Sequence, residues 1–136
     1  MQVIKHNDIV YHTIVDVLDV QASRTHCSDP TDTLQVNIIK LQIDTIIKPH
    51  YHTNTTYPTQ NVQEMWYIAQ GQVDVQLFAD AALILRTVTL TTGMLLCTFR
   101  GGHSLKNKTK NTIIIECKNG PFDPQSPSHY FYVFNT

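Results

Sequence analysis

The sequence predicts an all-β protein, and three observations lead to this fold class. Apolar and polar residues alternate with a period of two in most apolar runs, as at 72–77, where Val73, Val75 and Leu77 are the apolar members. No segment shows a convincing amphipathic helical stripe. Turn signals separate the runs, at 70–71, 79–80, 91–93, 101–102 and 119–121. Many short strands at regular spacing predict a β-sandwich or a small barrel.

The predicted strands follow one another along the whole chain. The first covers 9–20 and precedes a polar loop at 21–33, which contains Pro30. The next, at 34–47, is long and rich in β-branched residues, and a change of parity at 38–39 predicts a bulge or bend within it. The remaining strands are predicted at 62–68, 72–77, 83–90, 94–99, 112–118 and 129–134.

The length and composition predict one soluble domain covering 1–136. The chain has 136 residues and a formal net charge of −1, whereas nucleic-acid binders usually carry a basic excess. The first eight residues lack the pattern of a signal peptide, and no apolar stretch is long enough to span a membrane. We therefore expect a cytoplasmic protein with no nucleic-acid or membrane partner.

Three cysteines cannot all pair within one chain, so no disulfide framework is predicted. Cys97 and Cys117 lie in apolar runs, and we expect both to be buried, inert thiols. Histidine, with seven copies, is the more informative residue type.

His50 and His52 form the first candidate site. On a strand, residues i and i+2 point to the same face, so the two imidazoles would project side by side. Such a pair is half of a metal site. Taken alone the signal is weak, because a His-x-His pair also arises by chance in a chain with seven histidines.

Glu64 and His103 add to this pattern. If 62–68 is a strand, Glu64 shares a face with Trp66 and Ile68. A carboxylate on an apolar face costs several kcal/mol unless it is paired or bound to a cation, so either the register is the opposite one or something neutralises Glu64. The glycines at 101–102 allow a tight turn, after which His103 is able to face the interior.

Together these residues resemble the two motifs of the cupin superfamily. The first motif, at 50–71, reads His-x-His, then Glu-x6-Gly, and the second, at 93–107, reads Gly, then Gly-His-x3-Asn. The resemblance implies a double-stranded β-helix, which is a jelly-roll barrel, with residues 72–92 as the hairpin between the motifs. It also implies one divalent transition metal inside the barrel, with four ligands: His50, His52, Glu64 and His103.

Two features depart from the cupin pattern. The loop at 53–63 is longer than the family's usual gap, and we expect it to overhang the mouth of the barrel. The second motif has Phe99 near the place of the usual proline and is shorter before His103. The Gly-Gly-His sequence, followed by Gly-Pro-Phe122, is similar to a subgroup of small, uncharacterised cupins.

The implied site suggests a chemistry but no particular substrate. Three neutral imidazoles and a carboxylate suit Fe, Mn, Ni, Cu or Zn, and the sequence does not choose among these metals. Trp66 and Ile68 would line an apolar cavity behind the metal, and Arg100 would face an anionic substrate at the mouth unless it is an ordinary surface arginine. No catalytic residue is assigned.

Three functions fit this pattern. The favoured one is a metal-dependent enzyme acting on a small organic molecule by oxygenase, isomerase or lyase chemistry. The second is a metal-free sugar-nucleotide epimerase or ketoisomerase, in which Tyr51 or Tyr67 would work with His103. The third is a non-catalytic module that binds a small ligand or a metal, since a fold does not dictate a function.

Two further expectations concern residues outside the site. Met65 and Tyr67 would form an outward apolar row on the barrel, which predicts burial by a second copy and hence a homodimer. The remaining histidines have no spacing partner, and we expect surface or capping roles for them: His6, His12, His26 and His129.

Overall fold

The structure is a computed structural model that describes residues 1–52, 61–80 and 83–120, and every regular element in these ranges is a β-strand. The all-β prediction is therefore confirmed. The strands are β1 (Gln2–His6), β2 (Ile9–Asp16), β3 (Arg24–His26), β4 (Asn37–Ile39), β5 (Glu64–Gln70), β6 (Gln72–Phe78), β7 (Ile84–Thr91), β8 (Met94–Thr98), β9 (Gly102–Asn107) and β10 (Ile113–Lys118). No helix capable of crossing a bilayer occurs in this part of the chain, and a cytoplasmic location stays a prediction.

The strands form three antiparallel sheets. A five-stranded sheet has the order β1-β2-β8-β5-β10, a three-stranded sheet has the order β7-β6-β9, and β3 pairs with β4. Each order has two open edges, so the described strands do not close into a single barrel. The two larger sheets share one apolar core and therefore form a β-sandwich.

The main core lies between the five-stranded and three-stranded sheets. Val73, Val75 and Leu77 of β6 are fully buried in it, as the alternation at 72–77 predicted. From the other sheet, Ile68 of β5 and Leu96 of β8 complete the packing. The predicted parity of β5 is confirmed, because Trp66 packs against this same core.

A second core covers the opposite face of the five-stranded sheet. Cys27 and Val36, from the segment that carries β3 and β4, pack there against Cys97, and Met65 and Tyr67 lie against the same cluster. The apolar row that predicted a homodimer is thus covered by the chain itself. The homodimer stays a prediction, without support from this row.

The predicted strand at 34–47 differs most from the structure. Only Asn37–Ile39 is a strand, paired with β3, and the segment that follows, 40–52, is irregular and exposed. Asp44 has a φ of 63°, a left-handed conformation that interrupts an extended chain. Ile43 and Ile46 are consequently 93% and 85% exposed, although their residue types favour a strand.

Three strands were missed, and four predictions fall wholly or partly outside the described residues. The sequence does not predict β1, and it predicts a loop at 21–33, where β3 lies. For β9 it predicts only the turn that precedes it, at 101–102, and not the strand itself. Each lies at a sheet edge, where a short strand carries little periodic signal. The predicted strand at 129–134, His129, the Gly-Pro-Phe sequence at 120–122 and most of the loop at 53–63 fall wholly or partly outside the described ranges.

The cysteine prediction was right for Cys97 and wrong for Cys117. Cys97 is fully buried and Cys27 nearly so, whereas Cys117 lies on the edge strand β10 and is exposed. Burial raises the pKa of Cys97 to about 12, with the Thr13 hydroxyl acting in the opposite direction.

We expect one fast-reacting thiol in the native protein. The thiolate is the reactive form of cysteine, and a reagent must be able to reach it. Of the three cysteines, only Cys117 is exposed. Titration with a thiol reagent should modify one equivalent rapidly and the others only after unfolding, and Cys117→Ser should abolish the fast phase. A fast phase that survives in Cys117→Ser would contradict the burial of Cys27 and Cys97.

Candidate functional site

A row of polar side chains crosses the five-stranded sheet on the face that packs against the three-stranded sheet. Thr98 of β8 stands opposite His12 of β2 on one side and Glu64 of β5 on the other. Directly opposed residues of neighbouring strands share a face. The next row on this face, Ile14, Leu96 and Trp66, belongs to the main core, so the polar row also points inward.

His103 meets this row from the opposite sheet. Its Nδ1 lies 3.3 Å from Thr98 Oγ1, and its Nε2 lies 3.6 Å from Glu64 Oε1. The Trp66 ring packs edge-on against the imidazole, with 4.2 Å between ring centroids. Thr98 Oγ1 also lies 3.1 Å from His12 Nδ1. The result is a continuous polar chain from His12 through Thr98 and His103 to Glu64.

The turn between β8 and β9 delivers His103 to this position. Gly101 has a φ of 74°, and a Cβ placed on it would collide with the backbone carbonyl of Phe78. Glycine is the residue that accepts both conditions. β9 then begins opposite Phe78 and sets His103 beside Leu77. The sequence-based expectation of a tight turn that directs His103 inward agrees with this geometry.

Burial changes the protonation of the site. It lowers the pKa of His12 to about 4, the Phe78 carbonyl acting in the opposite direction, and it lowers the pKa of His103, the charge of Glu116 opposing this. Both imidazoles are therefore neutral near pH 7. Burial also raises the pKa of Glu64, and the charge of Glu116 raises it further.

The Glu64–His103 pair is partly open to solvent. The two side chains are 18% and 19% exposed, while His12 is fully buried behind Thr98. Lys118 stands opposite Glu64 on β10, and its Nζ lies 3.5 Å from Glu116 Oε1. Glu64 and His103 are therefore in part accessible to solvent, and Glu116 and Lys118 lie beside them on the edge strand.

The predicted pocket residues occupy three different environments. Trp66 contacts His103 and belongs at the site. Ile68 has no exposed surface and packs within the main core, so it supports the site from behind. Arg100 is exposed, and its Nη1 donates a hydrogen bond of 3.1 Å to the carbonyl of Val10. That contact corresponds to the surface role which the sequence left open for Arg100.

His50 and His52 lie next to each other, and within the described residues neither forms a group with Glu64 and His103 that could hold a metal. Their ring centroids are 5.3 Å apart, and both are exposed in the irregular segment 40–52. His50 Nδ1 lies 2.9 Å from the carbonyl of Lys48. Across residues 1–52, 61–80 and 83–120, no three His, Cys, Asp or Glu side chains form a group suited to a metal. In the described residues the predicted ligands thus form two pairs, His50 with His52 and Glu64 with His103. The set of four ligands stays a prediction.

His12 and Thr98 are the site residues that the sequence reasoning missed, and the surface or capping role expected for His12 is wrong because its side chain is fully buried. His12 interrupts the apolar run of β2, and it shares a face with Ile14, which is buried. A histidine at an inward position of an apolar strand was a usable signal. Thr98 gave a weaker signal in the sequence, since threonine is common in strands and Thr98 is simply the last residue of β8.

The fold and the site define an all-β sandwich protein with a half-buried histidine–carboxyl pair between its sheets. Residues 21–90 match a domain of unknown function, DUF6016, and because the match spans half of the chain, the protein belongs to this family. The matched region includes His50, His52 and Glu64 and ends before His103. Neither the curated proteins nor the solved structures gave a match.

Proposed function

We propose that this protein is a small cupin-type metalloprotein that binds one divalent transition metal at Glu64 and His103 and acts on a small organic molecule. The observation that carries the proposal is the 3.6 Å approach of Glu64 Oε1 and His103 Nε2. These atoms come from the two segments that resemble the cupin motifs. The proposal includes the double-stranded β-helix topology, which the two packed antiparallel sheets support.

The protonation of the pair favours a cation. A metal ligates the neutral imidazole, and burial keeps His103 in that form near pH 7. Glu64 is a carboxyl for which burial makes the charged form unfavourable, and a bound cation would offset this cost. The ion would supply Lewis acidity or electron transfer, while Trp66 provides an apolar wall beside it.

His50 and His52 would complete the ligand set by movement of segment 40–52. This segment exposes several large apolar side chains, which is unfavourable in a free monomer: Leu41, Ile43, Ile46, Ile47 and Tyr51. Packing it against a sheet would bury these residues and bring the two imidazoles inward. Metal binding and ordering of ligands are commonly coupled, so a metal would favour the packed arrangement.

Metal analysis of the full chain, purified without chelator, tests the proposal. We expect about one metal per chain in the wild type and at least a tenfold loss in Glu64→Gln and His103→Ala, since loss of a ligand typically weakens binding strongly. His50→Ala should lose metal as well if segment 40–52 supplies ligands.

His26→Ala is the matched control, because His26 is an exposed histidine on β3 that takes no part in the site. It should retain the wild-type metal content. Equal, substoichiometric metal in all of these proteins would contradict the metal site.

A second candidate is metal-free acid–base catalysis, of the sugar-nucleotide epimerase or ketoisomerase kind. The observation in its favour is that Glu64 and His103 already form a pair whose pKa values are shifted toward the neutral forms. Tyr67 packs in the second core and Tyr51 is 88% exposed, so Glu64 would replace the tyrosine as partner. Thermal stabilisation by nucleotide sugars, lost in His103→Ala, would favour this function over the first.

A non-catalytic binding module is the third alternative. It would share the Glu64–His103 site and differ only in turnover. Metal-loaded protein that neither consumes O₂ nor converts any candidate substrate, yet binds a ligand with a measurable thermal shift, would favour this alternative.

A further inference from the structure

Asn119 is a half-buried asparagine that ties together three segments of the chain at the end of β10. Its Oδ1 accepts a hydrogen bond of 2.7 Å from the backbone N–H of Gln63. Its Nδ2 donates hydrogen bonds of 2.9 Å to Thr33 Oγ1 and 3.1 Å to the carbonyl of Asn61. These partners require both an acceptor and a donor at the end of the side chain, which an amide supplies and a carboxylate does not.

Gln63 connects Asn119 to the loop that precedes β4. Its side chain is 5% exposed, and its Oε1 accepts hydrogen bonds of 2.8 Å from the Leu34 N–H and 3.2 Å from the Thr33 hydroxyl. We call Asn119, Gln63 and Thr33 the amide clamp. Leu34 packs against the second core, so the clamp holds the segment that covers this core against the start of β5 and the end of β10.

Gly120 makes the amide of Asn119 chemically reactive. The backbone nitrogen of the residue after an asparagine can attack the side-chain carbonyl carbon, Cγ, and asparagine is for this reason a thermolabile residue. Glycine obstructs the attack least, because it has no side chain and its backbone rotates freely. Gly120 is exposed, and Asn119 is the one asparagine in the sequence that precedes a glycine. The position therefore combines a reactive dipeptide with contacts that depend on the amide.

We propose that Asn119 is a site of spontaneous deamidation, and that the reaction opens the amide clamp irreversibly. The backbone nitrogen of Gly120 forms a bond to Asn119 Cγ while the Cγ–Nδ2 bond breaks, and the amide nitrogen leaves as ammonia with the proton of the Gly120 N–H. Water then opens the resulting cyclic imide at one of its two carbonyl carbons. Opening at Cγ gives aspartate, and opening at the main-chain carbonyl gives isoaspartate, in which the main chain runs through Cγ.

The amide clamp controls the rate of this reaction. The attack needs a side chain that is free to turn its Cγ toward the nitrogen of Gly120, whereas three hydrogen bonds hold the amide of Asn119 in one orientation. The reaction therefore proceeds from a local opening in which these hydrogen bonds are broken. Such openings require less free energy than global unfolding, so the site reacts slowly in a chain that is otherwise folded.

The product does not fit the clamp. An aspartate at position 119 places an oxygen where Nδ2 donated, so that two acceptors face each other at the carbonyl of Asn61. Isoaspartate in addition lengthens the main chain next to Gly120. Either product leaves the loop before β4 without its attachment, and Cys27, which is buried in the second core beneath this loop, becomes accessible.

Ageing of the full chain at mildly alkaline pH, followed by peptide mapping with mass spectrometry, tests the modification. We expect Asn119 to deamidate far ahead of Asn7 and Asn111, which are exposed but do not precede glycine. Gly120→Ala should slow the reaction at Asn119 strongly, because the added methyl group obstructs the attacking nitrogen. Equal rates at Asn119 and at the two exposed asparagines would overturn the proposal.

Thr33→Val tests whether the clamp controls the rate. It removes an acceptor of Asn119 Nδ2 and keeps the shape of the side chain. We expect roughly fivefold faster deamidation, the factor by which the loss of one hydrogen bond shifts an opening equilibrium. Thr31→Val is the matched control in the same loop, because its hydroxyl donates a hydrogen bond of 2.6 Å to Asp29 Oδ1, and it should leave the rate unchanged. Equal rates in Thr33→Val and the wild type would contradict the control by the clamp.

Asn119→Asp tests the consequence for the fold. In a Cys117→Ser background, where only buried thiols remain, it should lower the urea midpoint and speed the reaction of Cys27 with a thiol reagent. Asn111→Asp adds the same charge at an exposed position and should change neither quantity. If Asn119→Asp does not fold, the aged wild type, separated by ion exchange, supplies the product for both measurements. Wild-type stability and thiol reactivity in the product would show that the clamp survives deamidation, and would overturn the proposal.

Discussion

Acidification from pH 6.5 to pH 4 should destabilise the folded protein by about 3 kcal/mol through His12 alone. Burial lowers the pKa of His12 from 6.5 to about 4 in the folded state. A pKa difference of one unit corresponds to about 1.36 kcal/mol. His12 is fully buried, so solvent does not screen this effect.

The sign follows from which state binds the proton more tightly. Below pH 6.5 the unfolded chain protonates its histidine while the folded chain keeps a neutral imidazole, so protons favour unfolding. The contribution of His12 is fully present well above pH 6.5, is lost progressively as the pH falls from 6.5 to about 4, and changes little below that. The lowered pKa of His103 acts in the same direction, whereas the raised pKa of Glu64 opposes it.

Urea unfolding at a series of pH values measures this loss. The control is His12→Gln, which keeps an amide able to bond Thr98 and has no titrating group. We expect its free energy of unfolding to fall much less between pH 6.5 and 4. Parallel pH curves for wild type and His12→Gln would show that His12 is not the group responsible.

Gly101→Ala is the second large effect we expect, with a loss of at least about 3 kcal/mol in the free energy of unfolding. A left-handed conformation costs a non-glycine residue roughly 1–2 kcal/mol. In addition, the new Cβ would collide with the Phe78 carbonyl, a backbone atom that cannot move without disturbing the β6–β9 pairing. His103 would shift with β9, so metal or ligand binding should fall as well.

Gly93→Ala separates the two causes. Gly93 has a φ of 90°, but its nearest neighbour for an added Cβ is Leu18 Cδ1 at 3.6 Å, an ordinary contact. Only the conformational cost applies, roughly 1–2 kcal/mol. Comparison of urea midpoints for both variants measures the collision directly, and equal losses would mean that the Phe78 contact contributes nothing.

The sequence was most informative where the residues next to each other in the chain determine which way a side chain points. The parity of β5 placed Glu64 and Trp66 on one face, and the glycines at 101–102 placed a turn before His103. Both results depend on local geometry, namely a period of two in strands and the conformational freedom of glycine. Only the resemblance to the cupin motifs joined Glu64 and His103 in one predicted site, together with His50 and His52.

The sequence was least informative where a strand needs a partner. The segment at 34–47 has the composition of a long strand, yet only Asn37–Ile39 pairs, and the rest is exposed. Cys117 lies in an apolar run, but its strand β10 is at a sheet edge. Strand propensity reflects packing against neighbours more than an intrinsic preference, so the absence of a neighbour changes the outcome.

The fold class, the inward faces of β5 and β6 and the turn at Gly101 follow from the residues alone, because each is encoded within a few consecutive positions. The chain from His12 through Thr98 and His103 to Glu64 required the tertiary structure. Its members come from four strands, and the register that aligns them is a property of paired strands rather than of any one segment. For the same reason His12, which has no partner in its own segment, becomes a buried member of the site only once β2 lies beside β8.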